Sequence, residues 1–248
     1  MKSSWIVVAA LMSAATASAG TLTVSPAVVP LGGKIGQSTK QHLTLFNGTA
    51  RTLSFALVAQ DVVVRNGARV FVDAGDVAHS VAATAAFSSR NLTLNAGEER
   101  SVDVTLTLPA GMDQRAVIIL FRGTTDVGGA TLSLGTLLTF DLAGTASLQI
   151  RGVTATPPTE SANAAFSIPI TNDGKEPLIA RAAVAVLSES GAMIGRTTIE
   201  ARRLLPGENA TLQADYPDDL PAGKYRVIAT IDGGGRTAST KTADLIVP

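Results

Sequence analysis

His42 and His79 are the only histidines in the 248-residue sequence, and cysteine is absent. A zinc site draws on clustered His, Cys and carboxylate ligands at short spacing. Here His42 opens an apolar strand pattern and His79 sits in an Ala-rich segment, so neither is assigned as a ligand or a general base. Acid pairs occur at Glu98-Glu99 and Asp218-Asp219. A glycosidase needs two carboxylates facing each other across a cleft. Neighbours on a strand point to opposite faces, and both pairs flank turn signals, which reads as solvated turns. Gly233-Gly234-Gly235 would need to open a helix to cradle a phosphate, and it leads instead into the strand-like Arg236-Thr237-Ala238-Ser239-Thr240. Calcium-loop spacing and the Gly-x-Ser-x-Gly elbow are missing. The residues point to no catalytic site, no metal and no cofactor, and the expectation is a protein that is not an enzyme.

A different kind of site is written in Thr131 to Leu142. Its even positions are Leu132, Leu134, Thr136, Leu138, Phe140 and Leu142, whereas the odd ones are mostly small or polar. Such alternation marks a strand with one apolar face. If the strand lies at a sheet edge, its free N–H and C=O groups are open to an incoming strand. The same alternation is also that of a half-buried strand whose apolar face turns into its own core.

The elements that position this stretch follow from a repeat. Leu94-Asn95-Ala96-Gly97-Glu98, an alternating stretch and Leu108-Pro109-Ala110-Gly111 are matched by Leu205-Pro206-Gly207-Glu208, an alternating stretch and Leu220-Pro221-Ala222-Gly223. Each copy is preceded by a strand ending in an Asn turn, Leu43 to Gly48 and Ile168 to Gly174. Each is followed by an apolar strand, a Gly-rich turn (Asp126-Val127-Gly128-Gly129 and Asp232 to Gly235) and a closing strand. Five landmarks in one order mean one fold used twice. The interval from Asn47 to Gly97 exceeds that from Asn172 to Gly207 by about 15 residues, room for an extra hairpin or long loop. Val62-Val63-Val64, Asn66-Gly67 and Ala68 to Val72 read as a hairpin with its turn at Asn-Gly. Val102, Val104, Leu106 and Leu108 share one face of a strand, and Ala210 to Ala214 form a weaker one. Val77 to Phe87 is open between a short helix and a loop.

The expected class is all-β, two tandem immunoglobulin-like β-sandwich domains. Lys2, the apolar run Trp5 to Met12 and Ala17-Ser18-Ala19 form a cleavable signal peptide, too short to span a bilayer. The division is residues 1–19 signal peptide, 20–150 first immunoglobulin-like sandwich, and 151–248 second, immunoglobulin- or fibronectin III-like. Thr154 to Glu160 has the composition of a linker or exposed loop. No second apolar run is long enough for a membrane span in the mature chain. Formal net charge is 0, with no footprint for nucleic acid. Asn-x-Thr triplets at Asn47, Asn91 and Asn209 read as turn and strand residues. Export without cysteine leaves stabilisation to packing alone.

The order of short words resembles the periplasmic pilus-chaperone (PapD-like) superfamily, as a divergent member. The words are Val24-Ser25-Pro26, Leu43 to Gly48, Phe55 to Asp61, Leu92 to Gly97, Leu106 to Gly111, Asn172-Asp173-Gly174 and Leu205-Pro206-Gly207. The resemblance implies a periplasmic, chaperone-like binder of a protein partner such as a fibre or surface subunit. It places the donor strand on Leu132, Leu134, Leu138, Phe140 and Leu142. Family members hold the subunit's C-terminal carboxylate with an Arg in the opening strand and a Lys in the donor strand. Neither Thr21 to Leu31 nor Thr131 to Leu142 carries a basic residue, which points away from a typical pilin client. The other reading is a structural or adhesive immunoglobulin-like module, secreted or at the cell surface.

Overall fold

The structure, a computed structural model, describes residues 20–126, 131–234 and 238–248. The expected signal peptide, Val127 to Ala130 and Gly235 to Thr237 lie outside the described residues.

The first ten strands are β1 (Leu22–Ser25), β2 (Val28–Gly32), β3 (Ser38–Asn47), β4 (Leu53–Arg65), β5 (Ala68–Asp73), β6 (Ala86–Phe87), β7 (Asn91–Leu94), β8 (Glu99–Thr107), β9 (Ala116–Asp126) and β10 (Thr131–Asp141). They form a sheet in the order β1-β3-β8-β6 and a second in the order β2-β10-β9-β4-β5, with β7 on β4. The chain leaves β1 at the cis Ser25–Pro26 bond and enters the other sheet as β2. Eight more strands follow: β11 (Leu148–Ile150), β12 (Thr154–Thr156), β13 (Ala165–Asn172), β14 (Leu178–Ser188), β15 (Met193–Leu204), β16 (Asn209–Asp215), β17 (Gly223–Asp232) and β18 (Ser239–Val247). β11, β13, β12 and β16 make one sheet, and β15-β14-β17-β18 the facing one. The protein is all-β, with two sandwiches.

Alternation selects the inner faces. Val102, Val104, Leu106 and Leu108 are all buried against Leu43, Leu45, Phe55 and Phe121. The second core gathers Phe166, Ile168, Val184, Leu204, Val227 and Leu245. Each fully buried Leu or Phe contributes about 1.5–3 kcal/mol.

The repeat is a repeat of hydrogen bonds. Asn47 and Asn172 are both fully buried. Asn47 Nδ2 donates to the carbonyls of Arg51 (2.7 Å) and Leu94 (3.1 Å). Asn172 Nδ2 donates to those of Glu176 (2.8 Å) and Leu204 (3.2 Å). Glu98 accepts from the Asn95 N–H and Glu208 from the Leu205 N–H, each at 2.8 Å. In each sandwich one amide thus clasps two loops that no strand ladder satisfies.

The second sandwich has a counterpart of the β4–β5 hairpin in β14–β15, so the extra residues of the first sandwich lie after β5, between it and β7. The β4–β5 turn has Asn66 and Gly67 at φ 53° and 78°. Both central residues are left-handed, as a tight hairpin requires. The ambiguous Val77 to Phe87 is a 3₁₀ turn, Ala82–Thr84, followed by β6. Its start is held by the buried Asp61 carboxylate, which accepts from the N–H groups of Val81 (3.0 Å) and Ala82 (3.1 Å) and from Ser80 Oγ. Thr154–Thr156, read from composition as linker or exposed loop, is instead β12, paired with β13. Its Ala155 turns toward the second core between two exposed threonines.

Candidate strand-docking edge

β10 pairs with β9 antiparallel along its length, Leu134 opposite Phe121 and Leu138 opposite Val117. On its other side β2 runs parallel to it and covers only Leu137 to Asp141. Among the described residues no strand pairs with 131–136 on that side. Backbone direction follows from the two-residue period. The Phe140 N–H donates to Arg115 on the β9 side (2.8 Å), and the Leu137 N–H donates to Ala27 on the β2 side (2.9 Å). Odd-numbered residues therefore aim their backbone groups away from β9, and those of Ser133 and Gly135 reach an uncovered edge. The segment entering β2 ends the opening: Thr136 Oγ1 donates to the Pro26 carbonyl at 2.8 Å.

The five residues read as a donor strand divide along this line. Leu138 and Phe140 have 0% exposure and belong to the first core. Leu142 is half-buried against the same core. Leu134 is half-buried at its margin, and Leu132 is 42% exposed. Only Leu132 and Leu134 flank the uncovered edge.

Sequence reasoning missed the outer face of the same sheet. Register sets Val28, Leu137 and Ile118 in one row and Gly135, Leu120 and Val58 in the next. Phe71 stands beside Val62 on β5. Val28 and Phe71 are 44% and 53% exposed. The signal was present in Ala116 to Phe121, apolar at every position, which is the mark of a strand covered on both faces. Part of that cover comes from the second sandwich, whose Leu205 is buried against Val62 and Ala116. Among the described residues two ion pairs cross the same junction. Arg69 Nε lies 2.9 Å from Glu208, and Arg115 Nε 3.4 Å from Glu176. Glu176 also accepts from the N–H groups of Leu142 (3.0 Å) and Gly144 (3.1 Å).

The other polar candidates stay apart. His42 is exposed, with Nδ1 2.9 Å from Asp103, whose second oxygen meets Lys40 at 2.8 Å. Lys40 first, then His42, holds the Asp103 carboxyl below its usual range. His79 has φ 53° and packs on Gly111. Among the described residues no group of three His, Asp or Glu could hold a metal ion, and no helix is long and apolar enough to cross a membrane.

No family model and no curated protein matches the chain. It is similar to several solved structures. One is a chain of the chaperone–tip adhesin complex of CFA/I fimbriae, with 13% identity over 92% of this chain and 99% of that one, TM-score 0.44. Another comes from the CsuC–CsuE chaperone–tip subunit pre-assembly complex of Acinetobacter baumannii Csu pili, with 10% identity over 90% and 98%, TM-score 0.46. A third is the Pseudomonas aeruginosa CupB2 chaperone, with 11% identity over 91% and 100%, TM-score 0.43.

Proposed function

We propose that the chain is a periplasmic, chaperone-like binding protein without catalytic activity, and that it captures a protein partner by β-strand addition along residues 131–136 of β10. The observation that carries this reading is the edge itself: Ser133 and Gly135 aim backbone groups at a side that β2 covers only from Leu137 onward. An unpaired edge costs little in water and gains a ladder when a strand is added. An incoming strand extends the inner apolar layer at Leu132 and Leu134, while the outer rows around Ile118 and Leu120 offer a second half-exposed surface. The resemblance to pilus chaperones supports a fibre or surface subunit as partner. The missing basic residues in β1 and β10 support a client other than a typical pilin.

A photo-crosslinking amino acid at position 132, in cells making the full chain with their own envelope proteins, tests the reading. The expected result is a crosslink to a segment of alternating apolar residues in one partner, abolished by Leu134→Asp in a folded protein. Absence of any such segment, or its retention in folded Leu134→Asp, overturns it. The alternative, a structural or adhesive module, draws on the two ion pairs and Leu205 that brace the sandwiches as a rigid spacer. It predicts attachment to the envelope or to itself with no captured strand.

A further inference from the structure

The chain has no net charge, yet its arginines are not evenly spread. Two adjoining notches, one at the junction of the sandwiches and one on the second sandwich beside it, are lined by Arg69, Arg151, Arg202 and Arg203, and Arg202 borders both. The larger is about 480 Å³. The one carboxylate among their lining residues is Glu208, already engaged by the Leu205 N–H and Arg69 Nε. Arg69 spends a second donor on the Arg203 carbonyl; among the described residues the Arg203 side chain meets only the neutral Thr139 hydroxyl (3.3 Å) and the Arg151 side chain only the neutral Thr171 hydroxyl (3.1 Å). The Arg202 side chain has no hydrogen bond or ion pair among the described residues.

The backbone brings this about. Between the pairs Ala182–Ile199 and Ala180–Arg202, β15 carries one residue more than β14. Consecutive strand residues ordinarily face opposite sides. Arg202 and Arg203 lie just beyond that bulge in the regular pairs Ala180–Arg202 and Ile179–Arg203, and because β15 is the edge strand of its sheet, both border one notch that runs along that edge. Burial first, and then the charge of Arg69, lowers the Arg203 pKa from its ordinary value. The Arg69 and Arg203 guanidinium groups repel one another, and a bound anion relieves that repulsion. Their planar forks match the two oxygens of a carboxylate or the edge of a phosphate.

We propose that the Arg202–Arg203 notch, with Arg69 behind it, is a binding site for one oxyanionic group, a carboxylate or a phosphate. The site belongs mainly to β15 and β5, and it does not rest on strand addition to β10.

The test follows arginine Nε–Hε resonances of the full chain at constant ionic strength, with chloride as the balancing anion. Inorganic phosphate is one titrant. Tetra-glutamate is the other, against tetra-glutamine. The expected result is a saturable shift with at least one titrant. Affinity should fall at least tenfold in Arg202→Gln, whose side chain is exposed and whose loss leaves the fold intact, and likewise in Arg203→Gln. Arg226→Gln, on the distant strand β17, should bind as the parent does. Tighter phosphate binding identifies a free anion as the source, and tighter tetra-glutamate binding identifies an acidic protein segment. Shifts that rise linearly with both titrants, or saturation unchanged in Arg202→Gln, overturn the site.

Discussion

The Gly207 N–H donates to the Asn172 carbonyl at 2.7 Å, linking the end of β13 to the turn before β16, and Gly97 does the same to Asn47 in the first sandwich at the same distance. Around each bond the Asn side chain satisfies carbonyls that would otherwise be buried without partners. Asn47→Ala and Asn172→Ala should each cost about 2–3 kcal/mol, since truncation leaves buried acceptors unmet. Urea unfolding of the two variants checks this. A loss below about 0.5 kcal/mol in either would show that solvent replaces the amide.

The division of β10 makes a sharper prediction. Phe140→Ala should destabilise the first sandwich by about 3–5 kcal/mol and Leu138→Ala by about 2–5 kcal/mol, because both side chains sit in a closed core. Leu132→Ala, at the exposed end, should stay within about 0.5 kcal/mol of the parent. Denaturant midpoints of the three variants decide it.

That division was not legible in the sequence, although the strand was. Leu132, Leu134, Leu138 and Phe140 alternate identically whether the strand lies free or paired. What separates them is the arrival of β2, whose entering segment meets β10 across 110 positions of sequence at Pro26 and Thr136. Pairing of that kind depends on the path of the chain after Ser25 and leaves no periodicity behind. The repeat was legible because its landmarks, Asn47 with Gly97 and Asn172 with Gly207, are turn residues whose roles are local hydrogen bonds and positive φ. The arginine notch escaped notice because it brings Arg69 to Arg203 across 134 positions of sequence, a meeting that leaves no local pattern.

At the junction, Glu176 and Arg115 should respond unequally. Removing Arg115 leaves the Glu176 carboxylate with the N–H groups of Leu142 and Gly144. Removing Glu176 leaves a mostly buried guanidinium with no counter-ion, only the Met112, Asp113 and Gln114 carbonyls at 3.3–3.5 Å, and frees two N–H groups. Glu176→Ala should therefore cost about 3–5 kcal/mol and Arg115→Ala clearly less. A double-mutant cycle by chemical denaturation measures both and their coupling.

Acid should act in part through Glu98. Its carboxylate accepts from the Asn95 N–H and pairs with Arg100 at 2.6 Å, and these contacts, the backbone bond first, lower its pKa from the usual value of 4.5. A depressed folded-state pKa means the contribution is complete above the unfolded-state value and is lost as pH falls through the folded one. Stability followed from neutral pH down to about 3 should decline less steeply in Glu98→Gln than in the parent. An identical decline would remove Glu98 from the account.

Strand capture at β10 is tested most directly by Ser133→Pro. Proline is tolerated in a strand where the lost N–H faces solvent, and the Ser133 N–H points away from β9 toward the uncovered edge. The variant should unfold at nearly the same denaturant concentration as the parent and lose the position-132 crosslink to the partner's strand. A folded Ser133→Pro protein that still captures the partner through that crosslink would contradict strand addition at this edge.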